Sequence, residues 1–152
     1  MDNMLLVIGC GNTQHRDDGV GPKVAEAVEA LHLPGVVTVA CPTLTAELAD
    51  PVAHAGAAIF VDAAVDDPRQ LGIHRLDPSS GPTSAIHAGD PRTLLALARD
   101  AFGRAPEAWM LTVPAEELGL GESLSPIAQK GLRKAVQAVQ AMHCNMRYRG
   151  DN

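Results

Sequence analysis

Met4-Leu5-Leu6-Val7-Ile8, followed directly by Gly9-Cys10-Gly11-Asn12-Thr13-Gln14-His15-Arg16-Asp17-Asp18-Gly19-Val20-Gly21, decides the fold. Five consecutive apolar residues without polar alternation read as a strand buried on both faces, the position of a central strand in a parallel sheet. Beyond the glycine-rich loop, Val20, Val24, Val28 and Leu31 fall at helical spacing, predicting a helix over 19–31 with one core-facing stripe. Strand, glycine-rich loop and helix form the first part of a βαβ unit.

The same alternation continues outward. Val36–Ala40 is a second strand, and Thr45–His54 is a helix carrying Pro51 in its interior. Ala57–Val61 is a third buried strand ending at Asp62, and Ile73–Leu76 is a short strand at an edge. Residues 77–86, rich in Pro, Ser and Gly, read as a loop. Asp90-Pro91 supplies a cap and a first-turn proline for a helix through Phe102. Trp109–Val113 is a further strand, and Ser125-Pro126 opens a final helix to about Met142, with Ile127, Leu132, Val136 and Val139 facing the core. The expected architecture is a three-layer α/β/α sandwich around a mostly parallel sheet of about five strands, in one domain over 1–152.

Composition narrows the function classes. The chain has 152 residues, 46% apolar and 20% charged, ordinary for a globular protein able to bury a core. Aromatics are only 3%, so Val, Leu, Ile and Ala must build that core. The net charge of −6 and the scattered basic residues offer no positive patch for nucleic acid. No apolar run approaches the roughly 20 residues that span a bilayer. Met4–Ile8 is too short and wrongly flanked for a secretory signal. Cys10, Cys41 and Cys144 are odd in number and lack CxxC spacing, which argues against a disulfide framework or structural zinc and favours a reducing cytoplasm.

Three sites stand out chemically. The Gly9–Gly21 segment links a buried strand to a helix, where α/β folds place ligands. A dinucleotide fingerprint fails there: its third glycine would fall on Gln14, the second strand ends Val39-Ala40-Cys41 without a ribose-binding acid, and two aspartates would repel a pyrophosphate. Asp17 and Asp18 are either a helix cap or a functional pair. Asp62, at the carboxyl end of a parallel strand, belongs to the same sheet edge, and His87 lies in the loop before the Asp90-capped helix. Two carboxylates and an imidazole suit Zn²⁺, Ni²⁺ or a similar ion with open positions. No H-E-x-x-H or Gly-x-Ser-x-Gly is present. His15 reads as an exposed loop residue. Cys41 ends the second strand, where it is either a small buried side chain or a thiolate near a soft metal.

These residues resemble the opening signature of the [NiFe]-hydrogenase maturation endopeptidases: Gly9-x-Gly11-Asn12, then Asp17-Asp18-Gly19-x-Gly21. Asp62, His87 ahead of Leu94-Leu95, and Val113-Pro114 leading to Gly121-Glu122-x-Leu124-Ser125-Pro126 match in order. Cys41-Pro42-Thr43-Leu44-Thr45-Ala46-Glu47-Leu48 is similar to a branch reading Gln-Leu-Thr-Pro-Glu-Leu after the second strand, while Ala88 replaces a second His common there. The resemblance implies an α/β/α sandwich and an endopeptidase that removes the C-terminal extension of a hydrogenase large-subunit precursor after nickel insertion. It implies that Asp18, Asp62 and His87 contact the metal and carry catalysis, with Ni²⁺ arriving on the substrate. Gly9, Gly11 and Gly19 are then expected to keep the edge open for an extended peptide. A metal-sensing assembly chaperone that binds the same subunit without cutting it, and another small hydrolase on this fold, are the alternatives.

Overall fold

The computed structural model describes residues 4–66, 69–80 and 89–150. In chain order the elements are β1 (Leu5–Cys10), a 3₁₀ turn (Arg16–Gly19), α1 (Val20–Ala30), β2 (Val36–Cys41), a second 3₁₀ turn (Ala46–Leu48), α2 (Ala49–His54), β3 (Ala57–Ala64), β4 (Gly72–Leu76), α3 (Pro91–Phe102), β5 (Glu107–Pro114) and α4 (Pro126–Gly150). The five strands form one sheet in the order β2-β1-β3-β5-β4. All neighbours are parallel except β4, which closes one edge antiparallel to β5. The expected five-stranded, mostly parallel α/β sheet is therefore present.

Strand residues alternate between two cores, because successive side chains leave a strand on opposite faces. Leu5, Val7, Ala57, Ile59 and Val61 pack with Val20, Val24 and Val28 of α1 and Ala128, Ala135 and Val139 of α4. Leu6, Ile8, Ala58 and Phe60 pack on the other face with Val52 and Ala53 of α2 and Leu94, Leu95 and Ala98 of α3. Helices thus cover both faces, and the central strands are apolar throughout because both sides of them are buried.

Several boundaries differ from the sequence reading. Pro51 is the third residue of α2, since a 3₁₀ turn precedes that helix; first-turn N–H groups have no intrahelical acceptor, so proline fits there without a kink. β3 continues past Val61, because Asp62, Ala63 and Ala64 still pair with Thr112, Val113 and Pro114 of β5. Leu31 caps α1 and is 42% exposed, outside the core stripe. Helix α4 runs well past Met142: His143 Nε2 lies 2.7 Å from the Pro34 carbonyl oxygen, and Met146 packs on the core. Its buried line is Ala128, Ala135 and Val139, with Leu132, Val136 and Ile127 only half-buried beside it. The Asp90-Pro91 start of α3 is as expected, with Asp90 Oδ1 accepting from the Arg92 amide at 2.9 Å. Among the described residues no helix is long and apolar enough to cross a membrane.

Candidate functional site

The strand order creates the site. From β1 the chain crosses to β2 on one side, whereas β3 sends it toward β5 and β4 on the other. Connections diverging from adjacent parallel strands leave a crevice at their carboxyl ends, the usual ligand position in open α/β sheets. The β1–α1 loop carries Asp18 over this crevice, and β3 carries Asp62 into it.

The loop is held by backbone-to-backbone packing that only glycine permits. A Cβ on Gly9 would lie 2.0 Å from the Gly21 carbonyl oxygen, and one on Gly19 2.5 Å from the Thr13 Cα. These glycines therefore let the first turns of α1 and the loop press against β1, filling that space with the chain itself; they do not keep a channel clear, as the sequence had suggested. Asn12 makes the expected local turn, its Oδ1 accepting from the Gln14 amide at 2.9 Å.

The two adjacent aspartates have separate tasks, and neither caps α1. Asp17 is fully buried. Its Oδ2 accepts from the Glu116 amide at 2.9 Å, the Glu117 amide at 3.0 Å and the Ser125 hydroxyl at 2.6 Å, and its Oδ1 from the Ser125 amide at 2.7 Å. Burial alone would raise the Asp17 carboxyl; these four donors outweigh it and hold the group below the ordinary carboxylate range. Ser125 Oγ meanwhile accepts from the Ala128 amide at 3.4 Å, so one hydroxyl serves both Asp17 and the start of α4. Around this knot, the Arg16 amide donates to Gly121 at 2.8 Å, the Asp17 amide to Glu117 at 2.8 Å, and Arg16 Nε to the Ser123 carbonyl at 3.2 Å. Lys23 Nζ also donates to the Glu122 carbonyl. The two motifs that open and close the sequence signature are thus one structural unit. Sequence reasoning missed the role of Asp17; the available signal was Ser125, a second polar anchor in the late motif.

Asp18 is half-buried and its Oδ2 accepts from the Asn12 amide at 3.0 Å. Asp62 is also half-buried, its Oδ1 accepting from the Ala63 amide at 2.8 Å. Burial raises the Asp62 proton affinity most, the Ala63 amide opposes this, and the nearby charge of Asp18 raises it further. The charge of Asp18, distant in sequence, is therefore felt at Asp62 at the carboxyl end of β3. Asp62 follows Phe60 on the α2/α3 side of the sheet, as do Cys10 and Cys41, whose Sγ atoms are 3.5 Å apart. Burial, the Cys41 thiol and the charge of Asp62 all push the Cys10 thiol up. His15 is half-buried, its Nδ1 3.3 Å from the Leu118 carbonyl oxygen, where an exposed residue was expected. His87 lies outside the described residues. Among those described, no three His, Cys, Asp or Glu side chains gather closely enough to hold a metal ion. At the same rim, between the ends of β3 and β5, a cleft of about 490 Å³ is bounded by Ala64, Arg69, Pro114 and Glu116.

No protein-family model matches the chain, and no curated protein matches its sequence. Solved structures do match. A hydrogenase maturating endopeptidase, HybD from E. coli, is 23% identical with a TM-score of 0.71 over 91% of each chain. The [NiFe] hydrogenase maturation protease HybD from Thermococcus kodakarensis is 20% identical, with a TM-score of 0.68 over 92% of this chain and 99% of its own. HycI from Thermococcus kodakarensis KOD1, also a [NiFe] hydrogenase maturation protease, is 18% identical, with a TM-score of 0.68 over 95% of this chain and 93% of its own. This chain has the fold of these maturation proteases.

Proposed function

We propose that this chain is an endopeptidase that removes the C-terminal extension of a nickel-loaded [NiFe]-hydrogenase large-subunit precursor. The observation that carries the reading is the meeting of Asp18 and Asp62 at the switch point of the sheet, in a fold shared with three proteins named as such proteases. Two neighbouring carboxylates, one with raised proton affinity, are costly to keep ionised together unless a cation joins them. A substrate-borne Ni²⁺ supplies that charge, and His87 adds a nitrogen donor suited to it. The protease contributes an incomplete ligand set, so a precursor without nickel does not complete the site.

In the reaction, Asp18 and Asp62 orient the metal-bearing terminus and thereby the scissile peptide bond. A water polarised by the metal or by a carboxylate attacks the carbonyl. Asp62 is a base candidate, because burial and the charge of Asp18 both favour its taking a proton. The work of Asp17 is to hold the loop that presents Asp18. Incubation with nickel-loaded precursor, read by mass spectrometry, is expected to give truncation to a single product. The same precursor without nickel is expected to remain intact. Stable binding without truncation would favour the assembly-chaperone alternative, and equal cleavage of both forms would remove the nickel-sensing step.

A further inference from the structure

Cys10 and Cys41 are the last residues of neighbouring parallel strands and stand opposite each other in register. Their Sγ atoms are 3.5 Å apart and both residues are half-buried, whereas Cys144 is exposed on α4. A disulfide requires Cα atoms about 4.4–6.8 Å apart and Sγ atoms at about 2.05 Å. Adjacent strands lie about 4.8 Å apart, so the backbone is already within range. Only about 1.5 Å of approach between the sulfurs remains, which side-chain rotation can provide.

The pair occupies the rim that carries Asp62, and the Gly11 amide donates to the Cys41 carbonyl at 3.1 Å just beyond it. A bond between the sulfurs would tie together the two strand ends from which the Asp18-bearing loop and the loop following Cys41 depart. Packing alone asks only for two small apolar side chains here, not for two thiols in contact.

We propose that Cys10 and Cys41 form a reversible dithiol–disulfide site, oxidised by low-molecular-weight disulfides of the glutathione class. The Cys41 sulfur attacks the external disulfide, losing its proton and expelling one glutathione thiolate, which takes up a proton. The Cys10 sulfur then loses its proton and attacks the Cys41 sulfur of the mixed disulfide, expelling the second glutathione. One protein disulfide forms, one glutathione disulfide is reduced, and two glutathione thiols leave. Burial keeps the Cys10 thiol protonated and a poor first attacker, but contact with Cys41 gives it a high effective concentration for the second step. This inference rests on the strand register and not on the peptidase reading.

The test uses the full chain carrying Cys144→Ser, which removes the exposed thiol. After equilibration with reduced and oxidised glutathione at graded ratios, the intact mass should fall by two hydrogens. Titratable thiols should fall from two to none, digestion should yield one cross-linked peptide joining Cys10 and Cys41, and dithiothreitol should reverse all three changes. Adding Cys10→Ser, or separately Cys41→Ser, should abolish the mass loss. A glutathione adduct on Cys41 that never resolves, or two free thiols persisting at the most oxidising ratio, would overturn the proposal whatever the protein does to a hydrogenase precursor.

Discussion

Replacing Asp17 with Asn should cost far more stability than its conservative appearance suggests. The carboxylate is fully buried and accepts from three backbone amides and one hydroxyl. An amide has one accepting atom. With its oxygen on the side of Glu116, Glu117 and the Ser125 hydroxyl, its NH₂ must face the Ser125 amide, leaving two donors opposed and one buried N–H without an acceptor. An unsatisfied buried donor costs about 1–3 kcal/mol, and the three surviving bonds lose their charge assistance, together roughly another 1–3 kcal/mol. The expected loss is about 2–6 kcal/mol, or on the order of 10 °C in Tm for a chain of this size. Urea unfolding followed by the fluorescence of Trp109, the sole tryptophan, provides the assay. Asp18→Asn, at a half-buried carboxylate that accepts from the Asn12 amide, should cost under about 1 kcal/mol. If the two variants unfold at the same urea concentration, the division of labour between the adjacent aspartates is wrong.

Further outcomes follow from the same geometry. Asp17 is held below its unfolded range, so its contribution is present above the ordinary carboxylate pKa and is lost as pH falls through its folded value; acid unfolding of Asp17→Asn should be correspondingly less pH-dependent than that of the wild type. Asp62 has the opposite sign, because the folded chain holds that proton more tightly than the unfolded one, so stability falls as pH rises through its range. Asp62→Asn should therefore raise Tm at neutral pH in the absence of metal, and a lowered Tm in calorimetry would contradict the assignment. Ser125→Ala removes a donor to Asp17 and the cap of α4, an expected loss of about 1–3 kcal/mol in the same urea assay. Gly9→Ala sets a methyl 2.0 Å from the Gly21 carbonyl oxygen, so soluble expression with a wild-type Tm would refute the close packing of loop and strand.

Much of this architecture was legible in the sequence, because strands buried on both faces leave unbroken apolar runs and helices leave three-to-four spacing. Boundaries were less so. An apolar-run criterion stops β3 at the first charge, yet pairing with β5 carries it to Ala64. Asp62 stood out from its place at a parallel strand's carboxyl end, whereas Asp17 and Asp18 read locally only as a pair, cap or functional, and the choice of Asp18 rested on the family resemblance. What separates Asp18 from Asp17 lies about a hundred residues downstream, in Glu116, Glu117 and Ser125, and no local pattern reports it. The glycines were correctly singled out but assigned to ligand access, since sequence shows that close approach is possible and not what approaches. The thiol contact was likewise hidden, because Cys10 and Cys41 meet only through the register of β1 and β2.

The single-turnover rate of precursor processing by Asp62→Asn, compared with the wild type on the same nickel-loaded substrate, distinguishes a working carboxylate from a bystander. If Asp62 holds the metal or moves the proton, the rate should fall by a factor on the order of 10²–10⁴ while the folded protein remains intact. Processing at the wild-type rate would mean that the paired carboxylates at the switch point do not perform the chemistry.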